Sequence, residues 1–207
     1  MDLSVVVPTL NGRDHLRACL DTVAEQAPTA ELVVVNGPSA DGTTGMVTDH
    51  EAVDRLIEVA SRTVTVARNA GIDAATGDVI AFLGDDLRLE TGWLAAVVDG
   101  LTEAPVVTGP THRTLRGGVA TESTEQTTIA GRTVTAIAGH NVALERHVLA
   151  DIDGFDEYLE TGGAWDLAHR LAANDHAVAW RPDMSVRREF EADGGRADRD
   201  WGWTYRA

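Results

Sequence analysis

Two adjacent carboxylates, Asp85 and Asp86, directly follow an apolar run that is typical of a buried strand. Like charges side by side are costly unless water, a proton or a cation compensates them. Mg²⁺ and Mn²⁺ prefer oxygen ligands, and they need only one or two carboxylates when phosphates supply the rest. The pair therefore indicates either a divalent-cation site or a solvated acidic turn, and both readings stay open on these two residues alone.

Two further polar clusters follow apolar runs nearer the start of the chain. Pro8, Thr9 and Asn11 come after the first run, and residues 36–41, beginning with Asn36, come after the second. In open parallel sheets, ligands bind beyond the carboxyl ends of the strands. We therefore expect the binding site where these strand ends lie.

The elements that position these clusters alternate between strands and helices. Short β-branched runs predict buried strands, and apolar stripes at helical spacing predict amphipathic helices. This alternation predicts parallel βαβ units in a doubly wound sheet, followed from residue 111 to 138 by a Thr- and Gly-rich hairpin or mobile insert on the sheet edge. The predicted strands are 3–7, 31–36, 63–66, 78–83, 106–109 and 178–180, and the predicted helices are 13–25, 45–54, 69–75, 93–101, 145–149 and 165–173.

Composition narrows the possible functions. The chain has 33 acidic and 17 basic residues, a net charge of −16, and every basic residue is arginine. Such a surface repels nucleic acid, so we expect no nucleic-acid partner. The acid-rich, lysine-free composition predicts a halophilic protein from a salt-rich cytoplasm, where screening lets carboxylates coexist. No signal peptide or apolar span is evident, which predicts a soluble, cytoplasmic chain.

Cysteine and histidine usage argues against two kinds of metal site. The single cysteine, Cys19, excludes an intrachain disulfide and a cysteine-ligated zinc site. The seven histidines show no metal-ligand spacing, and all but His140 are interpreted as surface or capping residues.

Seven segments together resemble family 2 glycosyltransferases with the GT-A fold, in the family's order and over about residues 2–190. The resemblance implies an α/β, Rossmann-like and mostly parallel sheet with helices on both faces and a less regular C-terminal acceptor half. It implies one domain over 1–207, with a nucleotide-sugar-binding half (1–110), an acceptor half (111–190) and a tail (191–207). The matching segments are 4–11, 32–43, 67–71, 77–86, 139–143, 154–157 and 165–171.

The resemblance also implies roles for individual residues. A nucleotide diphosphate sugar would be the donor, and Mn²⁺ or Mg²⁺ the cofactor that neutralises its diphosphate. The acceptor would be a glycan or a protein-linked or lipid-linked group. The implied roles are nucleotide-sugar binding for Pro8, Thr9, Asn11, Asn36, Arg68 and Asp85, metal binding for Asp86, and an acceptor-side position for His140, Asn141 and Trp165, whose ring suits a sugar face.

The catalytic base is where this chain departs most from the family. Family members typically place a Glu-Asp pair two residues before the position of Asp166, and the aspartate of this pair is the catalytic base. In this chain the two positions are Gly163 and Ala164. Asp166 is the remaining candidate for the base, and its alternative interpretation is an acid that favours a helix N-terminus. Glu160, in the preceding loop, is a further candidate.

Three other departures affect the donor site. Asn36 stands where paired acids are usual, Gly84 opens an acid cluster that is often three residues long, and Arg188 lies near the place of a metal-binding histidine. Arginine there could contact the diphosphate directly. The sequence thus predicts an inverting, metal-dependent transferase acting on an acceptor hydroxyl or lipid phosphate, or alternatively a binding or regulatory module that has lost the chemistry.

The end of the chain carries one more expectation. Trp201 and Trp203 flank a glycine near the terminus, and exposed tryptophans suit a docking surface or a membrane interface. This pattern allows peripheral association with the inner face of the plasma membrane. A Rossmann-type dehydrogenase is disfavoured, because no Gly-x-Gly-x-x-Gly follows the first strand.

Overall fold

A computed structural model describes residues 1–115, 118–122, 126–129 and 132–188. Strands and helices alternate along most of this length. In chain order they are β1 (Leu3–Thr9), α1 (Arg13–Gln26), β2 (Glu31–Asn36), α2 (Thr43–Thr48), β3 (Arg55–Glu58), α3 (Val64–Ala74), β4 (Val79–Leu83), β5 (Leu87–Leu89), α4 (Trp93–Leu101), β6 (Val106–Thr108), β7 (Thr111–Leu115), β8 (Gly118–Glu122), β9 (Gln126–Ile129), β10 (Arg132–Thr135), β11 (Asn141–Glu145), α5 (Arg146–Asp151), α6 (Gly163–Ala173), β12 (Val178–Trp180) and β13 (Val186–Arg188).

The central sheet has seven strands in the order β12-β6-β11-β4-β1-β2-β3. β4, β1, β2 and β3 run parallel, and β12 is parallel to β6. β11 is antiparallel to both of its neighbours, β4 and β6. The predicted mostly parallel α/β sheet is therefore confirmed, with one reversed strand inside it.

Helices cover both faces of this sheet, because successive side chains of each buried strand point to opposite faces. Val5 and Val7 of β1 pack with the apolar side chains of α1, α2 and α4. Val6, between them, packs with those of α3, α5 and α6. Two apolar layers thus fix the sheet between helices and leave its carboxyl edge open for polar loops.

A second sheet lies beside that edge. It has the order β5-β13-β7-β8, in which β13 is antiparallel to β5 and parallel to β7. The insert predicted over 111–138 does form antiparallel pairs, β7 with β8 and β9 with β10. Its predicted place was wrong, because β7 and β8 belong to the second sheet and not to the edge of the central one.

Several predicted elements need correction. The strand predicted at 63–66 is wrong, because Val64–Ala74 is a helix whose first turn is β-branched and buried. Such residues resemble a strand in sequence, but packing against the sheet decides their conformation. The helix predicted at 45–54 ends at Thr48, and β3 follows where no strand was expected. β11 was also missed.

The expectation about the C-terminal tail remains a prediction. The tail 191–207, with Trp201 and Trp203, lies outside the described residues. Within the part of the chain that the structure describes, no helix combines the length and the apolar character needed to cross a bilayer.

Candidate functional site

The loops after β1 and β2 are joined by hydrogen bonds at the carboxyl edge of the central sheet. The Gly37 amide donates to the Thr9 carbonyl over 2.9 Å. Asn11, whose φ is +54°, donates its backbone amide to Ser39 Oγ and accepts the Ala40 amide at Oδ1. The two clusters predicted to share an edge therefore form one surface, on which Asn11 is exposed.

Pro8 and Asn36 support these loops from within the strands. β1 continues through Pro8, where the prediction ended the strand at Val7. Proline is tolerated because the pairing of β1 with β4 stops at Val6, so no ladder bond is lost on that side. The Asn36 amide is fully buried, with Nδ2 donating to Thr44 Oγ1 and Oδ1 accepting from Ser39.

Asp85 is tied to the first loop. Thr9 Oγ1 donates to Asp85 Oδ2 over 2.7 Å, and His15 Nε2 lies 3.5 Å from the same oxygen. A Cβ at Gly12 would overlap Thr9 Oγ1 and lie 2.7 Å from Asp85 Oδ2, so the cluster requires glycine there. Burial acts to lower the pKa of His15, but the hydrogen bond and charge of Asp85 raise it overall. His15, whose side chain is 38% exposed, is thus a surface residue that also contacts Asp85.

Asp86 faces the other way and meets Arg188. Both residues are 7% exposed, and Arg188 contacts both carboxylate oxygens, through Nε to Oδ2 and through Nη2 to Oδ1. Arg188 lies opposite Leu87 in the β5–β13 pairing, which brings it beside Asp86. Burial raises the pKa of Asp86 and the charge of Asp85 adds to this, whereas the Arg188 guanidinium opposes it. The Arg188 guanidinium therefore favours the ionised form of Asp86 against the effect of burial.

Asp85 and Asp86, the carboxylates predicted to lie at a Mn²⁺ or Mg²⁺ site, each contact another side chain. In the described ranges, no three His, Cys, Asp or Glu side chains come together as a metal site. Asp86, predicted as the metal ligand, has both oxygens in contact with a buried guanidinium. Asp85 already accepts a hydrogen bond from Thr9 at one oxygen. In this structure Asp86 is the ion-pair partner of Arg188, and its role as metal ligand stays a prediction.

Arg68 reaches the same edge from α3. It is 6% exposed, and its guanidinium carbon lies 5.1 Å from the centroid of the Phe155 ring, a cation–π contact. A Cβ at Gly139 would lie 3.4 Å from both of its terminal nitrogens and 2.9 Å from the Ala164 Cβ. Arg68 and Ala164, where the family's base would stand, are thus immediate neighbours of Gly139.

His140 follows Gly139 into the interior. It is 4% exposed, and its Nε2 lies 3.0 Å from Thr111 Oγ1. Burial lowers the pKa of His140 to about 3, and the charges of Arg188, Arg68 and Arg113 act in the same direction. His140 is therefore a neutral ring at physiological pH, lying beneath the edge where the acceptor side was predicted.

Asn141 lies inside the fold, where its side chain and backbone are both hydrogen-bonded. It is fully buried, accepts a hydrogen bond from Trp93 Nε1 over 3.0 Å, and donates to the Met184 carbonyl over 2.8 Å. Its own carbonyl accepts from Thr108 Oγ1. Its amide holds α4 and the segment before β13 against the central sheet, and its position on the acceptor side stays a prediction.

The start of α6 carries the last predicted residues. Asp166 Oδ2 accepts hydrogen bonds from Arg170 Nε and Nη2 over 2.8 and 2.6 Å, and Arg170 in turn donates to the Gly154 carbonyl. Asp166 thus occupies the first turn of the helix as an acid paired one turn along. Trp165 is 52% exposed and meets His169 edge-on. The roles of Asp166 as base and of Trp165 as sugar platform stay predictions.

Comparison with known proteins shows which family this chain belongs to. The sequence profile described as "Glycosyl transferase family 2" matches residues 4–149, which contain all three polar clusters. The chain belongs to glycosyl transferase family 2. Among curated members, it is 29% identical over 199 residues to the glycosyltransferase AglE of Haloferax volcanii, covering 88% of this chain and 65% of that protein. It is 34% identical over 88 residues to YibD of Escherichia coli, covering 41% of this chain and 26% of YibD.

Solved structures of glycosyltransferases share the fold. S. aureus TarS 1-349 in complex with UDP-GlcNAc superposes with a TM-score of 0.74 at 20% identity, over 92% of this chain and 60% of that one. The mannosyltransferase PcManGT from Pyrobaculum calidifontis, in complex with GDP-Man and Mn²⁺, gives a TM-score of 0.72 at 20% identity, over 93% and 58%. This family 2 chain therefore spans less than two thirds of the length of these relatives.

Proposed function

We propose that this chain transfers a sugar from a nucleotide diphosphate sugar to an acceptor hydroxyl or a lipid phosphate. The observation that carries the proposal is the meeting of three polar loops with Arg68 at the carboxyl edge of a family 2 fold. That edge is where open parallel sheets bind nucleotides. TarS and PcManGT, which share the fold, were solved with UDP-GlcNAc and GDP-Man respectively.

The donor would lie across the joined loops. Asn11 is exposed and stands between the loops after β1 and β2, where it can contact the base or ribose. Asp85, held by Thr9, presents a carboxylate that can accept the ribose hydroxyls. Arg68 would contact the diphosphate, because a guanidinium forms bidentate hydrogen bonds with phosphate oxygens.

The reaction would be a single displacement with inversion. An acceptor oxygen forms a bond to the anomeric carbon, and the bond from that carbon to the diphosphate oxygen breaks. The bonding pair leaves with the diphosphate, whose developing charge the nearby guanidinium stabilises. A hydroxyl acceptor must also give up its proton to a base, whereas an ionised phosphate acceptor has none to give.

The base position favours an ionised acceptor. Ala164 offers only a methyl group beside Gly139 and Arg68, and Asp166 is hydrogen-bonded to Arg170. We therefore favour a lipid-linked phosphate over a glycan or protein-linked hydroxyl as the acceptor. Such an acceptor would place the reaction in the cytoplasm at the inner face of the plasma membrane.

A second candidate function is a binding or regulatory module on the same scaffold. The observation that favours it is the same pair of positions, Gly163 and Ala164, which carry no carboxylate. A module of this kind would bind a nucleotide sugar without consuming it.

Transfer and donor breakdown distinguish the two candidates. We would incubate the purified chain with UDP- and GDP-sugars, with and without Mn²⁺, and offer either vesicles containing a polyprenyl phosphate or a soluble alkyl glycoside. Transfer to the phosphate lipid, lost in Arg68→Gln and retained in the exposed Arg62→Gln, is the expected result. Saturable binding with neither transfer nor hydrolysis of any donor would contradict the transferase and support the module.

A further inference from the structure

A chain of hydrogen bonds connects the buried Asn36 to the loop after β1. Asn36 ends β2 at the carboxyl edge of the central sheet and has no exposed surface. Its Oδ1 accepts the Ser39 hydroxyl over 2.7 Å, and Ser39 Oγ accepts the Asn11 backbone amide over 2.8 Å. A serine hydroxyl has one proton and two lone pairs, so Ser39 can serve both neighbours at once. One side chain therefore connects Asn36 to Asn11.

The other end of the Asn36 amide is fixed by β3. Nδ2 donates to Thr44 Oγ1 over 2.9 Å, and Thr44 Oγ1 donates to Glu58 Oε1 over 3.0 Å. Glu58 is the partner of Asn36 in the β2–β3 register, and an ionised carboxylate only accepts hydrogen bonds. This acceptor sets the direction of the hydrogen bonds along the chain, so that the Oδ1 of Asn36 faces Ser39.

Asn11 receives its support from this chain. Its φ of +54° lies in the left-handed region, which is unfavourable for most residues with a side chain and is best tolerated by asparagine and aspartate. Ser39 holds the backbone amide of Asn11, and Asn11 Oδ1 accepts the Ala40 amide over 2.9 Å. Because Oδ1 is engaged, Nδ2 is the end of this exposed amide that can donate to an oxygen of a nucleoside.

Resting on the proposed function, we infer that Asn36 is a positioning residue for the nucleoside of the donor. It acts through Ser39 on Asn11, and Asn11 makes the contact with the base or ribose. Asn36 itself does not touch the donor, because it is fully buried. Loss of this support should therefore weaken binding of the nucleoside and leave binding of the diphosphate unchanged.

The probes are UDP, GDP and inorganic pyrophosphate, measured by calorimetry in Mn²⁺ at constant ionic strength. We expect Ser39→Ala and Asn36→Ala each to weaken the tighter nucleotide by roughly 10-fold, as the loss of one hydrogen bond can do. Pyrophosphate, which has no nucleoside, should bind both variants as it binds wild type. Thr102→Val, which removes an exposed hydroxyl bonded to the Asp99 carbonyl near the end of α4, is the control and should leave all three affinities unchanged.

A combined variant tests whether Asn36 acts through Ser39. Residues in one hydrogen-bond network give non-additive effects when both are replaced. Asn36→Ala/Ser39→Ala should therefore weaken the nucleotide no more than the more harmful single variant does. This comparison uses nucleotide affinities alone, so it decides the question even where pyrophosphate binds too weakly to measure.

A further variant keeps the chain but reverses part of it. Asn36→Asp/Glu58→Gln moves the carboxylate from β3 to β2 and leaves the net charge unchanged. Position 36 still offers an acceptor to Ser39, while Thr44 donates to the new carboxylate and accepts from the new amide. We expect this variant to bind the nucleotide about as tightly as wild type.

The variants differ in how much they disturb the fold, which circular dichroism checks before each titration. Asn36→Ala removes a buried amide, whereas Ser39 is only half-buried and Asn36→Asp/Glu58→Gln leaves no cavity. If Asn36→Ala does not fold, Ser39→Ala and the reversed chain still test the inference, since the first should weaken the nucleotide and the second should not.

The outcomes separate this inference from the proposed function. Weaker nucleotide binding with unchanged pyrophosphate binding, and no further loss in the combined variant, supports the inference. Equal losses for nucleotide and pyrophosphate, losses that multiply in the combined variant, or weak binding by the reversed chain overturn it and leave the transferase standing. If wild type binds neither nucleotide, the proposed donor site fails and the inference fails with it. If the supporting pattern appears without any sugar transfer, the transferase fails while the inference holds.

Discussion

Arg188 and Asp86 form a buried ion pair although 102 positions separate them in the chain. Asp86 follows the end of β4, and Arg188 ends β13 in the second sheet. The pair therefore joins the carboxyl edge of the central sheet to the strands beside it. Asp86, in this pair, is the carboxylate that the sequence predicts as a metal ligand.

Replacing only one residue of this ion pair should destabilise the protein more than replacing both. Arg188→Met leaves a buried carboxylate uncompensated, for which we expect a loss of about 3–5 kcal/mol in the free energy of unfolding. Asp86→Asn/Arg188→Met should lie closer to wild type. Denaturant titration of both variants measures the difference. Equal losses of unfolding free energy would show that Asp86 and Arg188 do not stabilise each other.

Asn141 should control stability and not acceptor affinity. Asn141→Leu leaves Trp93 Nε1 and the Met184 carbonyl without their partner, and each such buried group costs about 1–3 kcal/mol. Trp93→Phe, which removes only the indole donor, is the matched smaller change. Wild-type stability of Asn141→Leu combined with an altered acceptor KM would restore its predicted place on the acceptor side.

His140 should make the fold sensitive to acid. Its pKa moves from 6.5 to about 3 because burial and the charges of Arg188, Arg68 and Arg113 disfavour the charged ring. Between pH 6.5 and 3, the unfolded chain therefore binds a proton at His140 that the folded chain does not bind. His140 costs no stability above pH 6.5. Between pH 6.5 and 3, it lowers the free energy of unfolding by about 1.4 kcal/mol for each pH unit.

The comparison with His140→Gln isolates this effect, because glutamine lacks the titrating ring and every other group stays the same. Unfolding free energies measured from about pH 7 to pH 5 should drop more steeply for wild type than for the variant. Parallel pH profiles would mean that His140 is charged, or titrates normally, in the folded protein.

A carboxylate at position 164 should restore use of hydroxyl acceptors. Ala164→Asp places an acid beside Gly139 and Arg68, and general-base catalysis typically contributes 10²–10⁴-fold. We expect donor hydrolysis, in which water is the hydroxyl acceptor, to rise in Ala164→Asp by roughly 10-fold or more, and not in the isosteric Ala164→Asn. Equal hydrolysis in the two variants would argue that another group already acts as base.

Sequence reasoning predicted most of the strands and helices of the first half of the chain, because these elements depend on local patterns. The Val-rich runs of β1 and β2 and the helix over 93–101 are fixed by apolar spacing, and the polar clusters follow directly from where the strands end. Thr9 and Asp85 meet because parallel strands present their carboxyl ends at one edge.

What was missed depends on contacts between distant segments. No local pattern indicates that β11 inserts antiparallel between β4 and β6, or that β13 pairs with β7. Those pairings bury Asn141 and bring Arg188 to Asp86, contacts that no local sequence pattern indicates. The strand predicted at 63–66 failed for the same reason, since packing against the sheet overrode a β-branched pattern.

A crystal structure of this chain soaked with a nucleotide sugar and Mn²⁺ tests the account most directly. We predict electron density for the nucleoside against Asn11 and Asp85, with the diphosphate beside Arg68. A nucleotide bound away from this edge, or no binding at saturating concentration, would contradict the account.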